Sequence, residues 1–296
     1  MKATILLLGN TGQVGWELNR SLITLGKVIA LDYPQINMAD VNSICSIVDH
    51  YQPNIIVNAT AYTDVEKAES QPELAFFING TGPGILAEMA DKRNSFLIHY
   101  STDYVFDGTK QDQYREEDQP SPINVYGETK LAGEKLIQNN TGSFLIFRTS
   151  WVYSHRRPCF VTKVRQWAAE NEILNIVEDQ ISSPTSSRTL AEVTAQIIAQ
   201  GKGDILNYLK ENAGIYHLTD SGFCSRYEWA KAIIELTSGK YPLKVRRLNP
   251  VNSSHFATEA DRPARSILSC EKLTQNFNIK LPDWYEALSL KMAEFD

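Results

Sequence analysis

Tyr126 and Lys130 stand four residues apart in the run Tyr126-Gly127-Glu128-Thr129-Lys130, about midway along the chain, where a helical pattern opens. On a helix that spacing puts the phenol and the ammonium on one face. A free tyrosine titrates near pH ~10 and is a weak acid at neutral pH, whereas a nearby cation favours the phenolate and lowers that value. Such a pair is a proton donor or acceptor suited to interconverting a carbonyl and an alcohol. A solvated helix can carry the same two residue types one turn apart, so chemistry at Tyr126 depends on what the other elements bring to it.

The elements before it alternate. Ala3-Thr4-Ile5-Leu6-Leu7-Leu8 is a continuous apolar run, as expected of a strand covered on both faces, and it leads into Gly9-Asn10-Thr11-Gly12-Gln13-Val14-Gly15 and then a helical pattern through Leu18, Leu22 and Leu25. Strand, glycine turn and helix in that order suit a phosphate-binding loop, because glycines allow the tight turn and let a pyrophosphate approach the helix N-terminus. Val28-Ile29-Ala30-Leu31 is predicted as the second strand, with Asp32 at its end, about 20 residues past the glycines, where a carboxylate hydrogen-bonds a ribose. Asp40 and Val41 open the next helix and are expected to border the adenine. Ile55-Ile56-Val57-Asn58-Ala59 forms a third strand, followed by Ala61, Tyr62 and Thr63 against the cofactor and a charged, solvated segment with Asp64, Glu66 and Glu69. A long helix is predicted from Pro72 to about Lys92. The fourth strand ends at Tyr100, a further cofactor contact, with Ser101-Thr102-Asp103 where open parallel sheets bind ligands.

After the fifth strand, Phe144-Leu145-Ile146-Phe147, the rhythm loosens. The pattern predicts a doubly wound α/β parallel-sheet Rossmann domain over residues 1–150 and a smaller substrate-binding lobe over 151–296, with 174–200 returning to the first. At 296 residues, 43% hydrophobic and 22% charged, the composition is that of a soluble globular protein. A net charge of −6 without long basic runs makes nucleic acid an improbable partner. No run approaches the ~20 apolar residues of a membrane span, and a cytoplasmic location is expected. Cys45, Cys159, Cys224 and Cys270 are dispersed, without disulfide or zinc spacing.

Gly9…Gly12…Gly15, the stretch Ser101-Thr102-Asp103-Tyr104-Val105-Phe106-Asp107-Gly108, and Tyr126…Lys130 together resemble the extended short-chain dehydrogenase/reductase superfamily. Within it the chain is similar to the dTDP-4-dehydrorhamnose reductase family almost throughout, notably at His99 to Phe106, Phe147 to Tyr153, Asp179-Gln180, Pro184-Thr185 and Arg262-Pro263. The resemblance implies NADPH or NADH as cofactor, a dTDP-sugar as substrate, reduction of its 4-keto group, and a homodimer. It implies Tyr126 as proton donor, Lys130 as holder of the nicotinamide ribose, Thr102 as the hydroxyl on the sugar's 4-oxygen, and Asp103 and Trp151 as substrate contacts; Arg262 is either a bidentate cation for the substrate diphosphate or a structural ion-pair partner. Ser101 is the serine of many short-chain reductases, but successive strand residues face opposite sides, and the family pattern selects Thr102. Asp32 opposes a 2′-phosphate and tilts the preference towards NADH. Some relatives carry a divalent cation at a dimer contact, where Glu17 fits one position; no metal site is assigned. Competing readings are a sugar-nucleotide epimerase or dehydratase on the same scaffold, and a non-catalytic regulatory subunit similar to the beta subunit of methionine adenosyltransferase.

Overall fold

The computed structural model describes residues 3–293. The chain runs β1 (Ala3–Leu8), α1 (Gln13–Leu22), β2 (Gly26–Leu31), α2 (Val41–Tyr51), β3 (Ile55–Asn58), α3 (Val65–Ser70), α4 (Pro72–Phe76), α5 (Gly82–Lys92), β4 (Phe96–Thr102), α6 (Val125–Asn140) and β5 (Phe144–Thr149). It continues through β6 (Val152–Tyr153), α7 (Phe160–Glu170), β7 (Ile173–Val177), β8 (Ile181–Ser182), β9 (Thr185–Ser186), α8 (Ser187–Gln200), α9 (Ile205–Glu211) and β10 (Gly214–His217). The last elements are β11 (Cys224–Ser225), α10 (Arg226–Thr237), β12 (Arg247–Val251), α11 (Glu271–Phe277) and α12 (Trp284–Ala293).

Six strands form one parallel sheet in the order β10-β5-β4-β3-β1-β2. Its strands are apolar on both sides because both faces are covered. One face packs Ile5, Leu7, Val57, Ile98 and Phe147 against α1 and α8, and the other packs Leu6, Leu8, Ile56, Leu97 and Ile146 against α2 and α5. The doubly wound parallel fold read from the alternation is therefore present. The order reverses between β1 and β3, and the crevice beyond the C-terminal strand ends opens there.

The helix predicted from Pro72 to Lys92 is one rod with a π turn, Phe77–Thr81, between α4 and α5. The run 174–177 does not enter the main sheet; β7 pairs with β12, and β10 supplies the sixth strand. Helix α8 does pack on α1. A third core, with Tyr153, Val164, Ile176, Trp229, Ile233, Leu288 and Met292, holds α7, α10 and α12 together at the other side of the crevice.

Candidate active site

The floor of the crevice is made of backbone. Gly9 has φ +86°, and a Cβ there would sit 2.9 Å from the main chain of Ala59 and Thr60; a Cβ on Gly15 would sit 2.0 Å from the Gly9 carbonyl oxygen. These contacts let β1, β3 and α1 meet closely enough for α1 to present its N-terminus to the crevice, and no side chain caps it. That bare helix end, with Gly9, Gly12, Gln13 and Val14 lining a cleft of about 750 Å³, fits a dinucleotide pyrophosphate. Gly15 tightens the turn from behind. Asn10 and Thr11 likewise stand outside the lining: Thr11 donates through its backbone N–H (3.0 Å) and Oγ1 (2.6 Å) to Asp32 Oδ2, and receives Arg157 Nη2 on Oγ1 at 2.7 Å.

Asp32 lines the cleft at the end of β2, as expected of a ribose ligand. Asp40 and Val41 do not. Asp40 caps α2 by accepting from the Asn42 N–H at 2.9 Å, and Val41 is exposed; Ile36, Asn37 and Met38 of the preceding loop line the cleft instead. Ala61 and Thr63 line the cleft, whereas Tyr62 is drawn aside, its N–H donating to Asn79 Oδ1 (2.8 Å) and its hydroxyl to Gln71 (2.9 Å).

At the end of β4 the alternation of faces sends the two adjacent hydroxyls in different directions. Ser101 Oγ donates to Glu134 Oε1 at 2.5 Å, and Glu134 also accepts two donors of the buried Arg148, so this hydroxyl is held under the site. Thr102 instead faces the phenol of Tyr126 in the cleft. Its Oγ1 donates to Asp103 Oδ1 (3.1 Å) and accepts from the Tyr104 N–H (3.2 Å). Asp103 is 2% exposed, and its other oxygen accepts from Ser266 (2.5 Å) and Ser182 (3.3 Å), so the carboxyl orients Thr102 rather than standing free for a ligand. Burial pushes this carboxyl up to about 6.

Tyr126 and Lys130 share the face of α6 that their spacing requires, and both line the cleft beside Tyr100. The expected electrostatics differ. Lys130 Nζ donates to the Tyr100 carbonyl at 2.6 Å and lies 3.1 Å from His99 Nε2, on the β4 side of the helix. Burial lowers Lys130 to about 8, and burial raises the Tyr126 phenol above its ordinary value, with the Thr102 hydrogen bond opposing. Desolvation therefore outweighs any lowering of the phenol by the lysine.

The far end of the cleft is aromatic and cationic. Trp151, at φ +43°, lies parallel to Trp229 with ring centroids 5.5 Å apart, and the Arg226 guanidinium covers the Trp151 ring at 3.7 Å. Arg262 lines the cleft too, yet it is an ion-pair partner of Glu66 and donates to Tyr104 Oη at 3.3 Å. Glu66 also accepts from the Glu259 and Ala260 N–H groups, and Glu69 from that of Val125, so these carboxylates tie segments together instead of being merely solvated. Arg226, Trp229, Phe160 and Arg157 escaped the sequence reading. Arg226 had one signal: Ser225 and Glu228 form a capping box that places it at the first position of α10.

The chain matches the family model described as RmlD substrate binding domain over residues 1–296. It is 43% identical to a dTDP-4-dehydrorhamnose reductase of Escherichia coli K12, covering 98% of this chain and 97% of that one. The chain belongs to the dTDP-4-dehydrorhamnose reductase family. The crystal structure of a dTDP-4-dehydrorhamnose reductase from Clostridium acetobutylicum superposes with TM-score 0.91 at 31% identity over 99% of both chains. One from Bacillus anthracis in complex with NADP superposes with TM-score 0.89 at 31% identity, covering 99% of this chain and 100% of that one. The Glu17 carboxylate meets Lys291 Nζ at 3.1 Å. Among the described residues no group of three or more His, Cys, Asp or Glu is arranged to hold a metal, and no helix is long and apolar enough to cross a membrane.

Proposed function

We propose that the chain reduces the 4-keto group of dTDP-4-dehydro-L-rhamnose with NADH or NADPH, giving dTDP-L-rhamnose. The observation that carries this reading is convergence: Thr102 from β4 and Tyr126 and Lys130 from α6 border the same cleft as the glycine turn at the N-terminus of α1. A reduced nicotinamide held in this cleft would supply the hydride for carbon 4. Tyr126 delivers the proton to the 4-oxygen; its raised phenol keeps that proton in place throughout the neutral range. Thr102, its Oγ1 anchored by the Tyr104 N–H, turns its one hydroxyl proton from Asp103 to the same oxygen when the sugar binds, and hydrogen bonding to developing negative charge there lowers the barrier. Lys130 holds the nicotinamide ribose, and Asp32 the adenosine ribose. Asp32 favours NADH, while Arg157, reaching Thr11 beside it, supplies the cation that lets a 2′-phosphate bind. Trp151 contacts the sugar nucleotide, and Arg262 reaches its diphosphate from the Glu66 pair. The protein is read as a cytoplasmic homodimer, which sedimentation and fractionation test directly.

Tyr126→Phe is the decisive variant. Loss of the acid is expected to lower kcat by about 10²–10⁴-fold while NADH affinity stays within about threefold. The assay follows NADH oxidation with the dTDP-keto-sugar and identifies the product by NMR. Full turnover by Tyr126→Phe would remove the phenol from the reaction, and cofactor binding by the wild type with no product would favour a regulatory subunit.

A further inference from the structure

Behind Lys130 lies a buried polar chain with no part in the chemistry above. Asn58 closes β3, His99 sits in β4, and both are 0% exposed. Asn58 Oδ1 accepts from the Thr60 N–H at 3.1 Å and from Thr60 Oγ1 at 2.6 Å. A backbone N–H can only donate, so the amide of Asn58 is fixed with its NH₂ towards His99, 3.1 Å from Nδ1. His99 Nδ1 must then be an acceptor. A neutral imidazole with its lone pair at Nδ1 carries its proton at Nε2, and Nε2 points at Lys130 Nζ, 3.1 Å away. An ammonium has no lone pair to receive that proton; an amine has one. Only the amine lets every contact in the chain be a hydrogen bond, with Nζ accepting from His99 and donating to the Tyr100 carbonyl at 2.6 Å.

We propose that His99, oriented by Asn58, is a positioning residue that holds Lys130 as a neutral amine in the cofactor-free protein, so that dinucleotide binding is accompanied by proton uptake at Lys130. The inference rests on the cleft being the nucleotide site proposed above. Bound dinucleotide adds hydroxyl acceptors and negative phosphates, both of which favour the ammonium. Burial independently lowers Lys130 to about 8 and keeps the His99 ring well below its usual value, in the same direction. The titratable groups around Lys130 are His99 and Tyr100 of β4 and Tyr126 and Glu134 of α6, with Glu134 committed to Arg148 of β5 and Glu69 of α3 at the helix start. The lysine thus becomes a cation when the cofactor arrives, and the phenol feels that charge only in the loaded enzyme.

Calorimetric titration with NADH at pH 8.5, in buffers of different ionisation enthalpy, counts the protons taken up; NADH avoids the titrating 2′-phosphate. If the free lysine titrates near 8 and the bound one near its ordinary value, uptake is roughly 0.7 proton, and affinity falls towards tenfold per unit as pH rises from about 8.5 to 10. His99→Glu replaces the ring with a carboxylate that accepts from both the Asn58 amide and Lys130, and Asn58→Asp offers an acceptor to Nδ1 and reverses the tautomer. Each is expected to retain the ammonium without cofactor, abolishing the uptake and flattening affinity over that pH range. NADH binding to the wild type without proton uptake would overturn the proposal, as would undiminished uptake in a folded variant of either kind. Failure of the wild type to bind NADH at all would instead overturn the nucleotide reading.

Discussion

The two ends of the cleft are built from different materials. At the glycine end the surface is main chain and small side chains, with α1 meeting β1 and β3 so closely that a single added carbon atom finds no room. At the Trp151 end it consists of large side chains leaning on each other, Arg226 over Trp151 and Trp229 against Phe160, where ring centroids are 4.7 Å apart. Backbone recognition depends on geometry and tolerates no bulk. Side-chain recognition depends on charge and stacking and can be altered while the fold persists.

Gly15→Ala strikes the first end hardest. Its Cβ would fall 2.0 Å from the Gly9 carbonyl oxygen, and main chain cannot swing away as a side chain can. Overpacking of about 3 kcal/mol is expected, with NADH affinity reduced by at least 100-fold, measured by thermal unfolding and nucleotide titration. At the second end, Arg226→Met should leave NADH affinity within about twofold and raise the KM for the sugar nucleotide by about 10–100-fold, the range of one lost charged hydrogen bond. Stability should hold, because burial already disfavours that cation, lowering Arg226 to about 10. A loss of NADH affinity in Arg226→Met would erase the division between the ends.

The smallest effect lies outside the cleft and belongs to neither end. Asp220 accepts from the Ser186 N–H at 2.8 Å, and burial pushes its carboxyl up to about 7. A carboxyl raised in the folded state binds more protons there than in the unfolded chain between pH about 4 and about 7, so its contribution to stability falls as pH rises through that window. Melting temperature should be a few degrees higher at pH 6 than at pH 8, and Asp220→Asn should flatten that gradient; an unchanged gradient would assign it to other groups.

What the sequence disclosed follows the same division. Continuous apolar strands, the glycine turn and the four-residue step from Tyr126 to Lys130 are local signals: the strands build the sheet, and Gly9, Gly12, Tyr126 and Lys130 border the cleft. The long-range partners were not legible. Nothing local to Gly214–His217 says that this run, rather than 174–177, completes the sheet. Arg226 lies 100 positions beyond Tyr126, and only packing brings it to Trp151. The surroundings of Lys130 were not legible for a related reason: the step on α6 is local, whereas His99 on a neighbouring strand and the cost of desolvation are not.

The late arrival of β10 has a bearing on how the polypeptide is made. Until residue 217 leaves the ribosome, β5 offers an unpaired apolar border, Phe144-Leu145-Ile146-Phe147, to whatever strand comes near. The nascent first half is therefore a sticky intermediate rather than a finished unit, and cutting the gene at codon 150 would yield insoluble protein.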